Sequence, residues 1–145
     1  MKNTLSILIL LFSIFGFSQK IKVKNDIAYV DNKEYVIMTI DKSLKDNLYI
    51  KSLDGNILFY LKHSSFFDHR KDPKFSQYEN CYEVMSPNLQ ETYFEVLGYK
   101  DFKTFLQLIY NENVIVDGKI NFENLQLLSS KIGFEFSKKR EELKN

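Results

Sequence analysis

Asn47-Leu-Tyr-Ile-Lys-Ser-Leu-Asp-Gly-Asn-Ile-Leu-Phe-Tyr-Leu-Lys62 places Asp54-Gly55 between two runs rich in β-branched and aromatic residues. Such residues fit a pleated, half-buried surface. Asp-Gly between runs of this kind is the strongest short-range sign of a β-hairpin, because a type I′ turn needs positive φ at both central residues. The stretch therefore predicts two antiparallel strands joined by a tight I′ turn.

Upstream, residues 20–40 alternate: Ile21, Val23, Ile27, Tyr29, Tyr35 and Ile37 stand against Lys22, Lys24 and Glu34. Asn25-Asp26 and Asp31-Asn32-Lys33 interrupt the runs with residues that favour tight turns. Two or three short strands follow. Downstream, Ser64–Asn80 mixes charge, Pro73 and paired aromatics without periodicity and reads as a long loop. Strand character returns over 82–85, breaks at Ser86-Pro87-Asn88, and resumes over 92–97 until Gly98.

The last third changes period. Phe102, Phe105, Leu106 and Ile109 obey the i, i+3, i+4, i+7 rule, with Asp101 as a cap. Phe122, Leu125, Leu128 and Ile132 share one face of a second helix, capped by Asn121 and stopped by Gly133. The tail from Ser137 reads as a solvated charge run with a frayed last turn. Strands first and helices last predict an α+β fold. It is an antiparallel meander of about five to seven strands followed by two C-terminal helices packed on one sheet face. Residues 19–145 are expected to form one such domain.

The first residues explain why the domain starts at 19. Lys2 precedes an almost wholly apolar run from Leu5 to Phe15, and Gly16 and Ser18 put small residues three and one positions before Gln19. That is the pattern of a secretory signal peptide, residues 1–18. The apolar run is about half of the roughly 20 residues a membrane span needs, so no stable insertion is expected after cleavage. Cleavage leaves 127 of the 145 residues and removes Lys2, so 19 of 20 Lys and Arg face 19 Asp and Glu. A net charge of zero gives no basis for nucleic acid or an anionic membrane as partner. Export to the periplasm or the outside is the expected localisation. Cys81 is the only cysteine, so no internal disulfide can form. Its place at the start of an apolar alternation suits a buried small hydrophobe.

Three stretches invite chemistry. The first is Asn111–Asn124, a glycine-bearing loop between two helical patterns, as in a calcium-binding EF-hand. With Gly118 at loop position 6, positions 1, 3, 5 and 12 fall on Asn113, Ile115, Asp117 and Asn124. Ile115 has no side-chain oxygen and Asn124 lacks the closing carboxylate, so the loop reads as a connector. In that reading Val114, Ile115 and Val116 pack beneath the helices and Asp117-Gly118 turns the chain. The second is His63-Ser-Ser-Phe-Phe-Asp-His-Arg-Lys-Asp72, which holds both histidines. His63, Asp68 and His69 could serve a small metal-assisted hydrolase, but their spacing matches no strong metal motif, and Arg70 and Lys71 oppose a cation. His63 reads as a strand end and His69 as loop surface. The third is nucleophilic catalysis. No Gly-x-Ser-x-Gly occurs, nothing marks Cys81 as catalytic, and five scattered glycines build no phosphate loop. No catalytic residue, metal or cofactor is implied.

Binding remains. Phe66, Phe67, His69 and Arg70 combine aromatic and arginine anchors of the kind enriched at interface hot spots. The competing reading is that both phenylalanines tuck beneath the loop as a satellite of the core. A free sheet edge is a second route to a partner, through strand addition.

Lys20-Ile-Lys-Val-Lys-Asn-Asp-Ile-Ala-Tyr-Val-Asp-Asn-Lys-Glu-Tyr35, after a leader ending Phe-Ser-Gln, resembles the start of small exported proteins of unknown function common in Bacteroidota. Leu108-Ile-Tyr, Asp117-Gly-Lys-Ile-Asn and Gly133-Phe-Glu-Phe-Ser are similar to blocks in the same group. The resemblance touches both ends of the chain and not the histidine-bearing stretch. It implies export and one α+β domain, and no activity. The leading functional expectation is an exported, non-enzymatic binding protein that recognises a protein or envelope component. The alternative is the hydrolase using His63, Asp68 and His69, and a lysozyme-inhibitor-like or immunity role is a third possibility.

Overall fold

Tight turns set the N-terminal half. The computed structural model describes residues 20–98 and 102–144, so the leader and the Asp101 cap lie outside the described residues. Asn25 and Asp26 take φ of 50° and 63°, and Asp31 and Asn32 take 50° and 64°. Two consecutive left-handed residues make a I′ turn, whose twist matches that of the strands it joins. These turns connect β1 (Ile21–Lys24), β2 (Ile27–Val30) and β3 (Lys33–Ile40). Strands β4 (Leu48–Lys51), β5 (Ile57–Phe67), β6 (Tyr78–Met85) and β7 (Thr92–Leu97) follow in an antiparallel sheet ordered β1 to β7. The expected meander is therefore present, with seven strands.

The β4–β5 hairpin forms, but its turn differs from the sequence expectation. Only Gly55 has positive φ, at 85°. The Ser52 amide donates to the Asn56 carbonyl at 2.9 Å and the Gly55 amide to the Ser52 carbonyl at 2.9 Å. Leu53-Asp54-Gly55 is thus a three-residue connection with glycine in the left-handed position, and the ladder shifts between Ile50 and Lys51.

Cross-strand partners share a sheet face. The register links Ala28 to Val36, Met38 to Ile50, Ile50 to Phe59, Leu48 to Leu61, Leu61 to Val84, and Val84 to Phe94. That inner face is covered by α1 (Phe102–Asn111) and α2 (Phe122–Ile132), which add Phe105, Leu106, Ile109, Leu125 and Leu128 to the same core. The i, i+3, i+4 pattern is realised in α1. In α2, Leu125 and Leu128 are buried, whereas Phe122 lies on the rim, 56% exposed, edge-on to Tyr93.

The connector reading of 111–124 matches the geometry found. Asn113, at φ 51°, ends α1 in a left-handed cap, with the Val114 amide on the Ile109 carbonyl and the Asn113 amide on that of Tyr110. A two-rung hairpin, β8 (Ile115–Val116) and β9 (Lys119–Ile120), turns at Asp117-Gly118. The Asn121 side chain then caps α2 through the Asn124 amide, at 3.2 Å. Val114 and Ile115 are buried, but Val116 points out and is no part of the plug.

Two larger corrections concern segments read as unstructured. Ser64–Phe67 and Tyr78–Asn80 are strand, pairing rung by rung from Ser64 with Cys81 to Phe67 with Tyr78, so the connecting loop is only 68–77. His63 consequently lies within β5 instead of ending it. The tail forms a third helix, α3 (Phe136–Glu142), outside the expected pair. Gly133 permits this. It has ordinary negative φ, but a Cβ there would stand 2.3 Å from the Ser129 carbonyl oxygen. Past Gly133 the Phe134 amide bonds the Glu95 carbonyl on edge strand β7, at 2.9 Å, and the chain passes to the outer face of the sheet.

Phe59 is fully buried at the centre of the inner face. Phe59→Ala should lower unfolding free energy by about 3–5 kcal/mol, read from urea midpoints, because the cavity cannot collapse in a packed core. The exposed Leu127→Ser should shift stability by no more than about 0.5 kcal/mol.

Candidate functional site: the projecting β5–β6 arm

Strand β5 outruns its neighbours. β4 begins opposite Leu61, and the described part of β7 ends opposite Cys81, so the rungs from Ser65 to Phe67 pair with β6 alone. Where β4 ends, the buried Asn47 side chain takes its place. Its Oδ1 accepts the His63 amide at 2.8 Å, and its Nδ2 donates to the Tyr60 hydroxyl at 2.7 Å, which donates to Asp41 Oδ2 at 3.0 Å. The sheet thus closes polar and the arm continues as a two-stranded ribbon. Such a ribbon is marginal alone.

Its support comes from the outer face. Phe66 packs against Phe136 of α3, centroids 6.3 Å apart, and Phe136 is almost wholly buried. Asp68, 3% exposed, is the node. Its Oδ1 accepts the Arg70 amide at 3.0 Å and Arg70 Nε at 3.3 Å, and its Oδ2 accepts Lys139 Nζ of α3 at 3.0 Å. Glu79 accepts both Lys139, at 2.6 Å, and Lys71, at 3.0 Å. Burial alone would raise the Asp68 pKa, but the hydrogen bonds from Lys139 and Arg70 outweigh it and hold the carboxyl at about 2. The Lys139 hydrogen bond likewise pulls Glu79 below the usual carboxylate range.

The other side of the arm is open. Phe67 and Tyr78 face each other across the last rung, edge-on at 5.5 Å, and are 49% and 59% exposed. Phe75, in the loop, is 73% exposed; His69 and Arg70 are exposed in the same loop, with Arg70 on the α3 side, where it lines a cleft with Phe134 and Lys138. The four residues expected to meet a partner therefore divide. Phe67, His69 and Arg70 lie on the surface of the tip, whereas Phe66 turns inward against α3. Sequence reasoning missed Phe75 and Tyr78, although aromatic rings in a polar Pro-Lys-Phe-Ser-Gln-Tyr stretch carry the same signal as Phe66-Phe67.

His63, Asp68 and His69 are not brought together. His63 lies on the inner face, its ring 5.4 Å from that of Tyr82, while Asp68 is engaged by Arg70 and Lys139. Among the described residues no three His, Cys, Asp or Glu are grouped so as to hold a metal. Cys81 is buried in β6, and burial, with Glu95 and Glu83 nearby, pushes its thiol up to about 11, so it is neither ionised nor reachable as a nucleophile. Among the described residues no helix is long and apolar enough to cross a membrane. Compared with protein-family models, curated proteins and solved structures, the chain matches none of them.

The Asp68 node fixes a pH dependence. A carboxyl whose folded pKa is lowered stabilises the fold above its unfolded value, 3.8 for Asp68, and loses that contribution as pH falls toward about 2. Lys139 is shifted upward, chiefly by its hydrogen bond to Glu79, so its contribution is complete below 10.5 and is lost only in stronger alkali. Urea midpoints should therefore hold from pH 5 to 9 in this respect and fall on acidification below about 4. Lys139→Met should flatten that acid limb.

Proposed function

We propose that this chain is an exported, non-enzymatic binding protein that recognises a protein partner in the envelope or outside the cell through the tip of the β5–β6 arm. One observation carries the reading: Phe67, Phe75 and Tyr78 hold three large rings in solvent on a ribbon that extends past the rest of the sheet. Ordering such a ribbon costs conformational entropy, and rings left this exposed return only part of it within the monomer. Aromatic rings and arginine are the residue types enriched at interface hot spots. Arg70 supports this role because Asp68 engages its Nε and backbone amide while about half of the side chain stays exposed.

Strand addition is the weaker route. The β7 edge is crossed at Glu95 by Phe134, and the first amide of β1 is taken by the Gln107 side chain. Export rests on the leader pattern of residues 1–18, and protein recognition in place of chemistry rests on the side chains the tip presents.

Residues 19–145, immobilised and exposed to envelope extract, should retain a discrete partner. Phe67→Ser with Tyr78→Ser should reduce its recovery by roughly ten-fold or more, the effect of losing two anchors, while Leu127→Ser should not. Equal recovery by both variants, or capture of nothing by the wild type, would overturn the proposal.

A further inference from the structure

We infer that α3 is a releasable strap whose docking sets the order of the recognition loop, a regulation of the tip that rests on the function proposed above. The helix has seven residues, and its N-cap residue Glu135 makes no side-chain cap hydrogen bond. A helix this short does not persist in water by itself, so it is helical because it is docked. Its attachments are few. Phe136 fills a socket against Phe66 and Phe134, and Lys139 bridges Asp68 and Glu79. Ser137 bonds the Glu95 carboxylate through its amide, at 2.9 Å, and through its hydroxyl. Among the described residues its other ion pairs, Lys138 with Glu135 and Lys144 with Glu141, are local and solvated.

The two carboxylates that hold the strap also hold the loop. Asp68 gives one oxygen to Arg70 and the other to Lys139, and Glu79 accepts Lys71 and Lys139 on the same oxygen. Releasing α3 removes the Lys139 bridge that joins both carboxylates and uncovers Phe66 on a ribbon two strands wide. A buried carboxylate deprived of a cationic partner draws water or another cation. The loop then loses the fixed geometry that positions Phe75 and Arg70. Docked, α3 presents an ordered tip; undocked, it leaves a mobile one, and a partner that prefers the ordered tip tightens the strap in return, since such coupling is reciprocal.

Hydrogen exchange on residues 19–145 at neutral pH tests the coupling without any partner, so its failure is separable from failure of the binding proposal. The reporters are the amides of Lys71 and Phe75, bonded to the carbonyls of Asp68 and Asp72. Phe75 is the stricter of the two, because Asp68 is itself bonded to the strap through Lys139, whereas the Asp72 carboxylate accepts the Lys74 amide within the loop. Lys139→Met weakens the strap by charge and Phe136→Ala by packing. Each should raise exchange roughly ten-fold both in 136–142 and at the two loop amides, with β4 amides unchanged, as for a sub-global opening. A strap that loosens while the loop keeps wild-type protection would overturn the inference. So would a strap that Lys139→Met leaves fully protected. If Phe136→Ala also loosens β4, the Lys139→Met result alone decides.

Discussion

Each strand of a meander pairs only with its neighbours in sequence, which closes the backbone ladder quickly but leaves two edges and two faces to be answered. The inner face is apolar from Ala28 and Val36 through Phe59 to Phe94, and α1 and α2 bury it. At the edges, Gln107 meets the first amide of β1 and Phe134 takes the Glu95 carbonyl on β7. The outer face is bridged by side chains, with Lys62 and Ser64 on Glu83, and is covered at one end by α3. β5 is where the constraint is hardest to meet. It runs eleven residues between a four-residue β4 and an eight-residue β6. The part that overreaches needs support that the sheet cannot give, and Asp68, Glu79, Phe136 and Lys139 provide it.

Much of the fold was legible because it is written locally. Asn-Asp and Asp-Asn pairs mark turns by tolerating positive φ, and a 3.6-residue apolar period marks α1. The departures share one cause, dependence on partners far away in sequence. Ser64 and Ser65 look like loop because their strand character comes from pairing with Cys81 and Asn80. Ser-Lys-Lys-Arg-Glu-Glu looks like a solvated tail because nothing near it reveals two carboxylates, half-buried Glu79 sixty and buried Asp68 seventy-one positions earlier, that meet a cation there. The dipeptide Asp54-Gly55 alone predicts a I′ turn, whereas the Ser52–Asn56 pair closes a three-residue connection beside a shift in the ladder at Ile50 and Lys51.

The candidate site shows the same division. An exposed Phe67 with His69 and Arg70 could be read from aromatic and cationic residues in a polar stretch. That Phe66 faces the other way follows from strand alternation, which could not be applied to a segment taken for a loop. Surroundings also fix the protonation of two groups in this region. Asp68 is held ionised by two cations, and the Cys81 thiol is held protonated by burial, so neither is poised to exchange a proton near neutral pH. What the arm offers is shape, rings and one half-free guanidinium.

A photo-reactive phenylalanine analogue placed at position 75, with a control at the exposed position 127 on α2, tests most directly whether the tip is the recognition surface. After irradiation in envelope extract, position 75 should give a discrete higher-mass adduct that excess unlabelled protein suppresses, and position 127 should give none. Adducts of equal yield at both positions, or an adduct at position 127 alone, would contradict recognition by the arm.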